Sequence, residues 1–188
     1  ENSTADERLE TVGAETAKKL GNFFRSGITI GLAWGSTISS VSRHMHYFPV
    51  SGSTVVQLNG AGNDHSTGLS YSGEILNQFG QSLGANVVHF PVPAFFDDPV
   101  AKEVMWKERS TKRILDIQKL IDLAIFGLGR IDAEVPSQVY AAGYLGTSEI
   151  ESLNKERVVG DIATVFFRED GSWNDIELNQ RSSGPGLD

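Results

Sequence analysis

Four short apolar runs constrain the fold of this chain more than any other feature. They are Ile28-Thr29-Ile30-Gly31-Leu32, Thr54-Val55-Val56-Gln57-Leu58, Asn86-Val87-Val88-His89-Phe90 and Leu120-Ile121-Asp122-Leu123-Ala124-Ile125-Phe126. Their length and their content of β-branched and other apolar residues predict strands. The last is the most apolar and predicts a central parallel strand. Between the runs, apolar residues return at helical spacing. Ala5, Leu9, Val12, Ala17, Leu20, Phe23 and Phe24 predict a helix from about Ser3 to Phe24. Ile38, Val41 and Met45 predict a second helix, and Ile75, Leu76 and Phe79 a third that Gly84 ends. Further helices are predicted near Val100–Glu108, Thr111–Gln118 and Ser148–Asn154, then a last strand over Ile162–Phe167. The tail Ser182-Ser183-Gly184-Pro185-Gly186 reads as a loop or a cut end. Strands alternating with helices predict an α/β fold with a mostly parallel sheet.

Composition narrows the function classes. A chain of 188 residues is one domain, or one and a small part. No apolar run approaches the roughly 20 residues of a membrane span, so no membrane partner is expected. Cysteine is absent, which removes disulfide scaffolds, Cys-ligated zinc and Cys nucleophiles and favours a cytoplasmic home. The formal charge of −8 argues against this chain gripping nucleic acid by itself, because phosphate binding needs clustered Lys and Arg.

In parallel sheets ligands bind beyond the carboxyl ends of the strands, so the residues there are the candidates for chemistry. After the first strand, Gly35, Ser36 and Thr37 form either a phosphate cradle at a helix N-terminus or a plain helix cap. No Walker lysine follows. After the second, Gln57, Asn59, Gly60 and Gly62 offer amides suited to sugar hydroxyls, or form a polar turn. After the third, Phe95, Phe96, Asp97 and Asp98 form either a sugar platform or a core plug with an Asp cap. After the fourth, Gly127-Leu128-Gly129 starts like a dinucleotide fingerprint. The third glycine is missing and the strand is the wrong one, so no NAD is expected; Gly129 still permits close approach to a small ligand. Asp161 precedes the last strand and either meets sugar hydroxyls or caps a turn. His44 and His46 diverge on a helix and make no metal site. No cofactor is expected.

These segments, taken in order, resemble a known family. Gly31 to Thr37, Val56-Gln57-Leu58-Asn59-Gly60, Pro91-Val92-Pro93-Ala94-Phe95, Ala124 to Gly129, Ala142-Gly143-Tyr144-Leu145 and Val159-Gly160-Asp161-Ile162 resemble successive signatures of the SorC-type sugar-binding transcriptional regulators. Gln57 to Asn63 and Pro91 to Asp97 bring the chain nearest the deoxyribonucleoside-regulator branch. The resemblance implies a Rossmann-like sheet with helices on both faces, related to sugar-phosphate isomerases and glucosamine-phosphate deaminases. It implies an effector domain spanning residues 1–188, incomplete at its C-terminus, with the helix-turn-helix DNA-binding region outside this chain. The implied effector is a phosphorylated sugar whose binding changes a homo-oligomer (dimer or tetramer) and thereby its hold on operator DNA. Carried over, Gly35, Ser36 and Thr37 hold the phosphate, Gln57, Asn59, Gly60 and Gly129 line the sugar site, and Asp97 and Asp161 face its hydroxyls. Many relatives carry Arg where this chain has Asn59. The competing readings are a sugar-phosphate isomerase or deaminase, with Asp97, Asp98 or Asp161 as its base, and a purely structural oligomerisation domain.

Overall fold

Each of the four apolar runs forms a strand in a computed structural model that describes residues 4–133 and 137–187. The strands are β1 (Thr29–Leu32), β2 (Thr54–Gln57), β3 (Asn86–Val88) and β4 (Leu123–Ile125). They make one parallel sheet in the order β3-β2-β1-β4, with Ile30 opposite Val55 on one side and Leu123 on the other. The helices are α1 (Ala5–Leu20), α2 (Ser36–Arg43), α3 (Leu69–Leu83), α4 (Pro99–Lys107), α5 (Arg109–Gln118), α6 (Gln138–Ala141) and α7 (Thr147–Lys155). No described helix is long and apolar enough to cross a membrane.

Strand alternation splits the core into two layers. Ile30, Leu32 and Val55 pack with Leu20 of α1, Val41 of α2 and Leu76 and Phe79 of α3. Val56 and Val88 point the other way and pack with Ile114 of α5 and Trp106 of α4. Adjacent residues on a strand face opposite sides, so Val55 and Val56 alone require helices on both faces. The connection through α2 and the connection through α3 carry the chain one way across the sheet. The α4–α5 connection then reverses it, past β1 to β4. A right-handed crossover in the reversed direction places its helices on the opposite face.

The most apolar run, expected at the centre of the sheet, is its edge strand β4, and the remaining strands depart further from the sequence expectation. Residues 162–167 are not one strand. β6 (Val158–Ile162) turns at Ala163 and Thr164 into β7 (Val165–Arg168), antiparallel, and β5 (Leu128–Arg130) joins β6 as the third strand of a separate sheet. Both turn residues have positive φ, 48° and 68°, as a two-residue type I′ hairpin requires. The glycine-rich segment after β4 is thus a strand in part. Helix α1 ends at Leu20, short of the expected Phe24, and Val12 and Phe23 of the expected apolar face are exposed. The Thr4–Glu7 capping box sets its start. The tail is a loop, and an anchored one: Ser182 and Ser183 are buried, and their hydroxyls donate to Thr164 O and Ala94 O.

Candidate functional site

The reversal of strand order between β1 and β4 opens a crevice at their carboxyl ends, where sheets of this kind hold ligands. A cavity of about 210 Å³ lies there. Its wall is built from Gly35, Ser36 and Thr37 after β1, Asn59 after β2, Gly129 on β5, and Asp161 and Thr164 on the β6–β7 hairpin. Ala5 and Leu9 of α1 close one side.

One end of the cavity suits an anion. Ser36 and Thr37 open α2, and no side chain caps this end. Gly35 precedes them at φ 150°, a conformation that L side chains rarely adopt. The Ser39 amide reaches Gly35 O at 2.8 Å, while the amides ahead of it have no intrahelical acceptor. Free N–H groups, the helix dipole and two half-buried hydroxyls therefore converge on one wall.

Another part of the lining is buried and rich in acceptors. Asn59 is 1% exposed and Asp161 4%. Asn59 Oδ1, Asp161 Oδ1 and the Tyr140 hydroxyl are buried without a hydrogen bond of ordinary geometry, although the Tyr140 hydroxyl stands close enough to the Asp161 carboxyl to favour its ionised form. A buried polar atom without a partner costs about 1–3 kcal/mol, so this cluster is expensive unless a ligand engages it. Burial raises the Asp161 carboxyl to about 6, and the Thr164 N–H and Tyr140 hydroxyl offset this only in part. Burial, then the Asp161 charge, pushes the Tyr140 hydroxyl upward. Gly129 leaves room for the carboxyl: a Cβ there would stand 1.9 Å from Asp161 Oδ1, so the carboxyl would have to turn away.

Thr164 shapes the same wall. A β-branched residue at φ 68° is a backbone outlier, and such strain persists only where its surroundings over-determine it. Here the Thr164 Oγ1 donates to Ala163 O and accepts from Ser182 Oγ at 3.1 Å and Asn59 Nδ2 at 3.5 Å. Those contacts aim the Asn59 amide nitrogen at Thr164 and leave its oxygen unpaired.

Six of the nine site residues expected from sequence meet at the cavity: Gly35, Ser36, Thr37, Asn59, Gly129 and Asp161. Gln57 lies away from it. Its Oε1 accepts the Phe90 N–H at 3.0 Å and its Nε2 donates to Asn59 O at 2.7 Å, so both ends of the amide serve the backbone. Gly60 is equally committed, donating its N–H to Ser183 Oγ and accepting from Trp34 Nε1. Asp97 is exposed and lines a separate depression with Asp64, Glu149 and Arg181. Thr164, Tyr140 and Ser137 escaped the sequence reading. Ser137 lines the cavity and caps α6 through the Val139 N–H. Its place after the residues 134–136, in a stretch with no strand signal, gave no cue.

Comparison with known proteins agrees with this geometry. A family model described as "Putative sugar-binding domain" matches residues 1–188. The chain is 31% identical over 163 residues to the deoxyribonucleoside regulator of Bacillus subtilis, covering 87% of this chain and 51% of that protein. The chain thus spans about half the length of that relative. A crystal structure of a domain of a possible sugar-binding transcriptional regulator from Arthrobacter aurescens matches with a TM-score of 0.92 at 47% identity, covering 99% of this chain and 71% of that one. The full-length sorbitol operon regulator SorC of Klebsiella pneumoniae matches with a TM-score of 0.85 at 21% identity, covering 98% and 60%; at that identity the likeness bears on the fold alone.

Proposed function

The chain belongs to the sugar-binding domain family of SorC/DeoR-type transcriptional regulators, and we propose that it senses a phosphorylated sugar held in the cavity between β1 and β4. The observation that carries this reading is the meeting, on one cavity, of an uncapped helix N-terminus with the buried, unpartnered oxygens of Asn59 and Asp161. The phosphate sits at the α2 end, against the amides and hydroxyls of Ser36 and Thr37. The sugar hydroxyls lie at the other end and donate to Asn59 Oδ1 and Asp161 Oδ1. The name of the Bacillus subtilis relative makes a deoxyribose-phosphate-like ligand the first to try.

In this reading the chain works within a longer regulator, a homo-oligomer that holds operator DNA through a region outside these residues. The effector acts by population shift, binding one arrangement of the assembly better than the other. A coupling of about 1–3 kcal/mol changes DNA affinity about 5–150-fold.

The test is a thermal-shift screen against phosphorylated and free pentoses and hexoses, with inorganic phosphate as the control. A ligand at about 100 times its Kd stabilises the chain by about 2.7 kcal/mol. A rise with a sugar phosphate that exceeds both the free sugar and inorganic phosphate is expected. A rise with free sugars alone, or with none of these compounds, would overturn the reading.

A further inference from the structure

We propose that Asp161 makes the buried end of the cavity selective for an uncharged, hydroxyl-bearing ligand end, so that sugar monophosphates are accepted and sugar bisphosphates rejected. The inference rests on the reading of the cavity as a phosphorylated-sugar site and specifies which class of sugar phosphate it takes.

The cavity wall carries little charge. Among the described residues, Asp161 and Arg130 are the charged side chains lining it. Arg130 is no counter-ion for the buried end. It is exposed, and its guanidinium donates to both carboxylate oxygens of Asp132, at 3.0 and 2.8 Å. Asp161 belongs to none of the ion pairs among the described residues. The groups that face it are Tyr140 from α6, Asn59 from the β2 end, Thr164 from its own hairpin and the Gly129 backbone of β5. None of these carries positive charge.

The start of α2 is the part of the lining with free backbone donors, and the part built by Asn59 and Asp161 differs from it in kind. Asn59 Oδ1 and Asp161 Oδ1 are acceptors in search of donors. A sugar hydroxyl supplies a donor; a second phosphoryl group brings only acceptors and like charge. Removed from water, two like charges a few ångströms apart repel far more strongly than they do in solvent. A bisphosphate must therefore either leave its second group outside the cavity or carry a proton in with it. The raised carboxyl of Asp161, about 6, still leaves it ionised near pH 8, where the discrimination is fully developed.

The experiment is calorimetric titration near pH 8 with two matched pairs. One is ribose 5-phosphate with ribulose 1,5-bisphosphate; the other is fructose 6-phosphate with fructose 1,6-bisphosphate. For whichever pair binds, the monophosphate should be preferred by about tenfold or more, the factor that about 1.4 kcal/mol of repulsion produces. Asp161→Asn keeps the shape and removes the charge, and should narrow that preference by a similar factor. A bisphosphate that binds the parent as tightly as its monophosphate overturns the proposal, with no variant needed. So does a folded Asp161→Asn chain with an unchanged preference. If no sugar phosphate in either pair binds and free sugars do, the phosphorylated-sugar reading itself fails, and this proposal with it.

Discussion

Two carboxylates, Asp161 and Asp97, were equal candidates for meeting a sugar, and the structure treats them oppositely. Asp161 is buried beside other unpartnered oxygens, in a cavity at the point where the strand order reverses. Asp97 is exposed in a depression whose cation, Arg181, is already engaged by Glu149. Water solvates Asp97 without help, whereas Asp161 is buried, belongs to none of the ion pairs among the described residues, and has an oxygen, Oδ1, without a hydrogen-bond partner. Residue type made them alike; desolvation without compensation separates them. A carboxylate that is costly to the empty protein has the most to gain from a ligand's donors.

That contrast can be broken most sharply at the anion end. Replacing Ser36 by Ala and Thr37 by Val together should weaken sugar-phosphate binding by roughly 2–4 kcal/mol, given about 1.5–3 kcal/mol for each bond to a charged group and their non-additivity. Calorimetry on the double variant checks this. The next effect is on stability. Asp161 rises from 3.8 to about 6 on folding, so the folded state holds its proton over a window in which the unfolded chain has lost it. Stability from this group is therefore present below about pH 4 and declines as pH rises towards about 6, by about 3 kcal/mol in all at about 1.4 kcal/mol per pH unit. Denaturant unfolding of the parent and Asp161→Asn across that range should show the variant gaining on the parent as pH rises. A constant difference between them would remove the buried charge from the account. The smallest effect belongs to Asp97→Asn, which should change stability and sugar-phosphate affinity by no more than about 0.5 kcal/mol, as surface substitutions do.

The first half of the fold was legible because its signals are local. The runs that became β1 to β4 carry their own β-branched composition, and the helices between them their own spacing. The α2 end of the site was legible for the same reason: Gly35-Ser36-Thr37 directly follows a strand. The hairpin was not. Ile162 to Phe167 contains no Gly, Asn, Asp or Pro, the residues that normally mark a turn, so the run reads straight through Ala163 and Thr164. The turn instead exists in strained backbone held by Ser182, a residue that itself reads as part of a loop or cut end. Pairing of Asn59 with the hairpin depends on contacts about a hundred residues apart in sequence, beyond the reach of any periodicity. Gln57 and Gly60 show the converse. Their chemistry suits a sugar, but buried backbone groups engage it first.

In the proposed site the ligand spans from the start of α2 to Asp161. It is tested most directly by calorimetric titration of one sugar phosphate into three proteins side by side: the parent, the Ser36→Ala/Thr37→Val chain and Asp97→Asn. The account predicts binding to the parent and to Asp97→Asn with equal affinity, and a loss of about 30- to 1000-fold in the double variant, the equivalent of about 2–4 kcal/mol. Undiminished binding by the double variant, with a loss in Asp97→Asn, would contradict it and move the site to the other depression.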